Sequence, residues 1–125
     1  MATIRVDGAT LHVDLSAWER ICAAHGSFAI PLATVAGASD AASPGWWSAW
    51  PVIGTHAPFW MMAGTFLYRG ELVFFAFGGG HRMLAIDLVP GTSRYAHLFV
   101  RVDYPDTPHA AAARIEEARA RVTEA

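Results

Sequence analysis

The chain contains no lysine, no asparagine and no glutamine, and only one cysteine. All nine of its cations are arginines. The lone thiol, Cys22, excludes an internal disulfide and a thiolate-bound metal cluster, and it makes the cytosol the expected compartment. Charge is sparse: charged residues make up 16% of the chain, net charge is −2 and the pI is near 6.3. That balance excludes a broad electrostatic footprint for nucleic acid. Long apolar runs are missing too. No window reaches the roughly 18 uninterrupted apolar residues of a membrane helix. The best stretch, Pro51 to Tyr68, is broken by Gly54, His56, Pro58 and Gly64, so no membrane span is expected. Near the start, Arg5 and Asp7 sit inside an alternating pattern and no basic segment leads into an apolar run, so no signal peptide is expected either.

What the chain has in abundance is apolar character. Its 125 residues are 54% apolar, and that length suits a single domain spanning 1–125 with one sizeable core. Two explanations fit such an excess. Either most strands are buried on both faces, or apolar surface is kept for a partner.

The local patterns are mainly β. Ile4 and Val6, then Leu11, Val13 and Leu15, alternate with polar residues around Asp7-Gly8, which predicts strands at about 3–6 and 10–14 joined by a tight turn. Ser16-Ala17-Trp18-Glu19 is a capping box, and Trp18, Ile21, Cys22 and His25 follow at helical spacing before Gly26. A short helix is therefore expected after the second strand, with Cys22 as a small buried hydrophobe on its stripe. An extended piece at 27–30 and a strand at 32–38 follow, then a loop over 40–45. Gly54-Thr55-His56-Ala57-Pro58 reads as an irregular connection. Beyond it, four runs (59–68, 71–77, 82–89 and 95–102) are separated by Arg69-Gly70, Gly78-Gly79-Gly80 and Pro90-Gly91-Thr92, the pattern of an antiparallel meander. In the last run, Ala96, Leu98, Val100 and Val102 share one face, and Tyr95, His97, Phe99 and Arg101 share the other. Asp106 or Thr107 caps a final helix with Pro108 in its first turn and a stripe of Ala111, Ile115, Ala118 and Val122. The expected fold class is mainly β or α+β. It is a curled antiparallel sheet or partly open barrel of about seven strands, with a short helix after strand 2 and a C-terminal helix.

Several stretches carry a family resemblance. They run from Leu15-Ser16 through His25-Gly26 to Ile30-Pro31-Leu32 and Val35, and include Gly54-Thr55-His56-Ala57-Pro58 and Ala63-Gly64-Thr65-Phe66. Leu84-Ala85-Ile86-Asp87-Leu88 and Val100-Arg101-Val102-Asp103-Tyr104-Pro105 complete the set. Together they resemble a group of small bacterial proteins, of actinobacterial type, with a pleckstrin-homology-like fold. The resemblance spans most of the chain and implies that fold, but no activity. Membrane-recruiting pleckstrin-homology domains bind inositol phosphates with basic residues around the first hairpin. Here its tip is Asp7-Gly8-Ala9-Thr10 with only Arg5 nearby, so no lipid-binding residue carries over.

The candidate chemistry is thin. Six histidines (His12, His25, His56, His81, His97 and His109) are scattered without zinc-ligand spacing, and His12 with Asp14 reads best as a solvated strand face. Gly78-Gly79-Gly80-His81-Arg82 leads into a strand, whereas a phosphate loop needs a helix start behind it. His56 beside Thr55, His97 near Arg101 and Asp87 in an apolar strand lack the supporting context of a catalytic site. For Asp87 the expected state is exposure or pairing with an arginine.

The aromatic residues weigh more. Trp46, Trp47 and Trp50 lie in SPGWWSAWP, and Phe59 and Trp60 follow. Membrane docking usually pairs such rings with cations, and none occurs from Ser39 to Tyr68. The expected function is a non-enzymatic protein-interaction module, with itself or another protein as partner and a homo-oligomer expected. The alternative is a binder of a small apolar ligand in a Trp-lined cavity. An enzyme using His56 or Asp87 is the third reading. The ligand or interface candidates are Trp46, Trp47, Trp50, His56, Phe59, Trp60, Tyr95, His97, Phe99 and Arg101. No metal, cofactor, catalytic residue or nucleic-acid partner is expected.

Overall fold

The computed structural model describes residues 3–15, 26–42, 49–57, 61–68, 70–78, 82–102 and 106–124. The expected helix over 16–25 lies outside them, as does Cys22. The first two strands are β1 (Thr3–Asp7) and β2 (Thr10–Asp14), paired antiparallel from Thr3 with Asp14 to Asp7 with Thr10. Gly8 turns the hairpin at φ +60°, a conformation that L side chains rarely adopt. β3 (Phe28–Pro31) joins the other side of β2, completing a three-stranded sheet. A single 3₁₀ turn at Leu32–Thr34 then leads into β4 (Val35–Ala42). The strand expected at 32–38 therefore starts later and runs further. Asp40, assigned to a loop by its composition, is held in the strand by a 2.7 Å pair with Arg82 of the neighbouring strand.

The remaining strands are β5 (Ala49–Ala57), β6 (Met61–Tyr68), β7 (Glu71–Gly78), β8 (Arg82–Leu88) and β9 (His97–Val100). With β4 they form a six-stranded sheet in the order β4-β8-β9-β7-β6-β5. Gly54 to Ala57 of the segment read as an irregular connection thus form the second half of β5, and Pro58 lies outside the described residues. The proline and glycine of β5 are tolerated because it lies at the end of the sheet. Pro51 cannot donate to a ladder, and edge strands are where sheets accept it. A register shift between Pro51 and Ile53 leaves Val52 as the bulged residue.

The expected meander holds only in part. β6 with β7 and β8 with β9 are sequential antiparallel neighbours as expected, and β5 adds antiparallel to β6. β8, however, does not lie beside β7. β9 inserts between them, parallel to β7 and antiparallel to β8. Chain geometry allows this: four peptide steps from Gly78 to Arg82 reach about 13–14 Å, more than the roughly 10 Å between next-nearest strands. The turn expected at Pro90–Thr92 is also longer. Gly91 has φ +85° and Thr92 bonds back to Val89, but the chain stays irregular until β9 opens at His97. Tyr95 consequently falls outside the strand and off the face assigned to it.

The last element, α1 (Pro108–Glu124), starts as expected. The Thr107 hydroxyl accepts the Ala110 amide, and Asp106 accepts the Thr107 amide. Ala111, Ala112, Ile115 and Ala118 are buried, and Val122 packs beside them. These small side chains let the helix lie close on β4 and β8. The main core fills the space between the inner face of the large sheet and two covers, the three-stranded sheet and α1. Leu11 and Val13 meet Phe74, Leu84, Ile86, Leu98 and Ile115 there. On the other face, Phe66, Val73, Phe75 and Met83 form a second buried cluster with Tyr68 and Phe99 against it. Consecutive residues 63–66, 73–76 and 83–86 are all buried. Burial on both faces therefore accounts for much of the apolar excess. The protein is mainly β with one C-terminal helix among the described residues, and its sheets do not close into a barrel.

Candidate functional site

The richest chemistry lies on the second face of the large sheet. There β9 alternates His97 and Phe99 outward while Leu98 and Val100 point to the core, and half-buried Arg101 follows just past the strand, its amide bonded to the Ala76 carbonyl. Register places Asp87 of β8 directly opposite His97 and Val73 of β7 on its other side. The His97 Nδ1 lies 2.7 Å from Asp87 Oδ1. An ionised carboxylate only accepts, so the imidazole donates its Nδ1–H to Asp87. Nε2 then points towards Glu71 of β7, 3.9 Å from Oε1. Of the two expected states of Asp87, exposure or pairing with an arginine, the first holds in part, since its side chain is 48% exposed, and its partner across the ladder is a histidine.

Aromatic rings extend this group. The His97 and Phe99 rings are 5.8 Å apart between centroids. Phe99 leans on Phe75 at 5.2 Å, and Tyr68 stands edge-on to both at 6.0 and 6.1 Å. Tyr68, His97 and Phe99 are half-buried, Glu71 is exposed, and Phe75 beneath them is fully buried. The result is a strip with an aromatic centre, carboxylates of Glu71 and Asp87 at one end and Arg101 at the other. Pairing and packing hold the rings in place. Asp87 orients His97, and a buried Phe66–Phe75 layer supports Phe99 and Tyr68 from below.

Of the other candidates, Tyr95 belongs to the core. It is buried, and its ring stands edge-on to Phe28 and Phe74. Its hydroxyl accepts from Arg94 at 2.7 Å and lies 2.7 Å from Thr65 Oγ1, with the Arg94 guanidinium 4.8 Å from the ring centre. A tyrosine in a core needs a partner for its hydroxyl, and buried Thr65 supplies one. Trp50 and His56 lie in β5, but their side chains, with Trp46, Trp47, Phe59 and Trp60, are outside the described residues. His12 and Asp14 do share the outer face of the small sheet, where Arg5 comes within 3.7 Å of Asp14. Among the described residues, no group of three His, Cys, Asp or Glu side chains is placed to hold a metal ion. No helix there is long and apolar enough to cross a membrane.

Sequence reading singled out His97, Phe99 and Arg101 but missed Tyr68 and Glu71. Their signal was present in the turn at Arg69-Gly70, where Gly70 has φ +81° and Tyr68 faces Glu71 across the ladder. What hid the grouping was the insertion of β9, which brings Tyr68 and Glu71 together with Phe99 and His97.

The fold and strip define a two-sheet α+β protein with an aromatic, charge-rimmed face. Comparison with protein-family models, curated proteins and solved structures gave no match for the chain.

Proposed function

We propose that this protein is a non-enzymatic interaction module that binds through the Tyr68–His97–Phe99 strip, with a second copy of itself as the first partner. The observation that supports this reading is the grouping of half-buried aromatic rings over a buried apolar layer, with charged groups confined to the ends. Protein interfaces favour that arrangement, since aromatic anchors lose water at the centre while a polar rim stays wet. The opposite signs at the two ends suit a self-complementary contact, in which Glu71 and Asp87 of one copy meet Arg101 of the other. The pleckstrin-homology-like resemblance belongs to the same reading, because it too implies a scaffold without an assigned activity. Sedimentation velocity over a range of concentrations tests the proposal. Wild type should sediment above monomer size, and Phe99→Ala with Arg101→Glu should shift it to monomer. A strictly monomeric wild type at high concentration overturns the self-contact.

A further inference from the structure

On the opposite side of the large sheet from His97, the two sheets part. A cleft of about 280 Å³ opens between β3 and the irregular segment joining β8 to β9. Leu88 and Leu98 line it and are themselves buried, while Phe28 and Ile30 line it and are only half-buried. The Phe28 ring is braced edge-on against Phe74, 4.8 Å between centroids, so this wall is stiff. Among the described residues no charged side chain lines the cleft, and the polar side-chain groups that line it are the hydroxyls of Thr34, Thr92 and Ser93. Their bonding is asymmetric. Thr34 donates its proton to the Pro31 carbonyl and Thr92 donates to the Val89 carbonyl, so both have only lone pairs to offer a visitor. Ser93 instead accepts the Tyr95 amide and keeps its own proton to donate.

We infer that this cleft is a binding site for a small neutral molecule with an apolar body and one hydroxyl end, an alcohol or a phenol. Three features select that class. The volume falls just below the roughly 300–1,000 Å³ of pockets for drug-sized ligands. The uncharged lining disfavours an ion, whose burial without a partner is costly. The hydroxyls combine acceptors with a donor, which a single ligand hydroxyl satisfies in both directions. The site is independent of the strip around His97.

Nuclear magnetic resonance titration of the folded protein with p-cresol, toluene and benzoate tests this. p-Cresol should shift the amides of Phe28, Ile30, Thr34 and Ser93 saturably. Toluene should bind the same place about tenfold more weakly, the worth of one hydrogen bond of roughly 1.4 kcal/mol, and benzoate should leave these amides unmoved. Ser93→Ala removes the donor half of the contact and should weaken p-cresol severalfold while leaving toluene unchanged, and Ile30→Trp, which fills the cleft, should abolish both. The inference is overturned if p-cresol gives no saturable shift at these amides. It also fails if p-cresol and toluene bind wild type equally and Ser93→Ala changes neither.

Discussion

The hydroxyl of Tyr95 and the hydroxyl of Thr65 meet in a core that is otherwise apolar, with Arg94 donating from the edge. Removing one of two buried partners leaves the other desolvated without compensation. Tyr95→Phe keeps the ring contacts with Phe28 and Phe74 but strands Thr65, and should cost about 1–3 kcal/mol in urea unfolding. Replacing both residues, as Tyr95→Phe with Thr65→Val, should recover part of that loss. Two carboxylates act similarly at the surface. Hydrogen bonds from Arg119 and then from the Ala38 amide hold the Glu116 carboxyl below its ordinary value of 4.5. The Arg114 fork, opposed by partial burial and aided by the Thr107 amide, holds Asp106 below 3.8. Groups lowered on folding bind fewer protons in the folded than in the unfolded chain. Their contribution is therefore complete above the ordinary values and is lost as pH falls through the lowered ones. The gap in melting temperature between wild type and Glu116→Gln should be open at pH 7 and should close progressively below pH 4.5.

At the scale of elements, α1 does two jobs for the sheet. It buries the core stripe, and it covers the β4 edge, where Glu116 accepts the Ala38 amide at 2.8 Å just past a bulge at residues 35–37. A Cβ on Gly37 would come within 3.3 Å of the same Glu116 oxygen. Gly37→Ala should loosen that cap, read as faster hydrogen exchange at Ala38, while Ile115→Ala should cost about 2–5 kcal/mol by leaving a cavity under the helix. The far edge is managed differently, by Pro51 and the Val52 bulge, devices that discourage further strand pairing. Elements with a local signal were legible in advance. Strict alternation marked β1 and β2, Gly8 marked their turn, and Thr107-Pro108 with the alanine stripe marked α1. Elements set by tertiary pairing were not. β5 contains residues that disfavour strands in isolation, and only its place at an edge makes them acceptable. Half of the strip was visible from the period-2 pattern of residues 97–101. The Asp87 partner and the Tyr68–Glu71 half depend on which strand lies beside which, and no short-range pattern encodes that.

For the whole molecule, burial on both faces of β6, β7 and β8 leaves little large apolar surface among the described residues. Val52 at 53% and Leu67 at 44% exposure are the large hydrophobic side chains that stand out, and both lie near the β5 end of the sheet. A contact surface must then be built from half-buried rings, as in the strip, and not from a broad greasy patch. The position of β9 has a further consequence, in the order of assembly. β5, β6 and β7 can zip together through short connections, and β4 can pair with β8, yet these two pieces share no ladder until residues 97–100 arrive between them. The β4–β8 ladder joins residues from 40 (Ala42 with Arg82) to 53 (Val35 with Leu88) apart and the β7–β9 ladder joins residues 24 apart (Val73 with His97), and such non-local pairing is slow because the chain loses entropy before the contacts repay it. A chain ending before His97 should hold two unjoined sheet fragments with unpaired edges, the form most prone to aggregate. β9 is thus the keystone of the sheet, since its four residues carry the ladders that join the two halves.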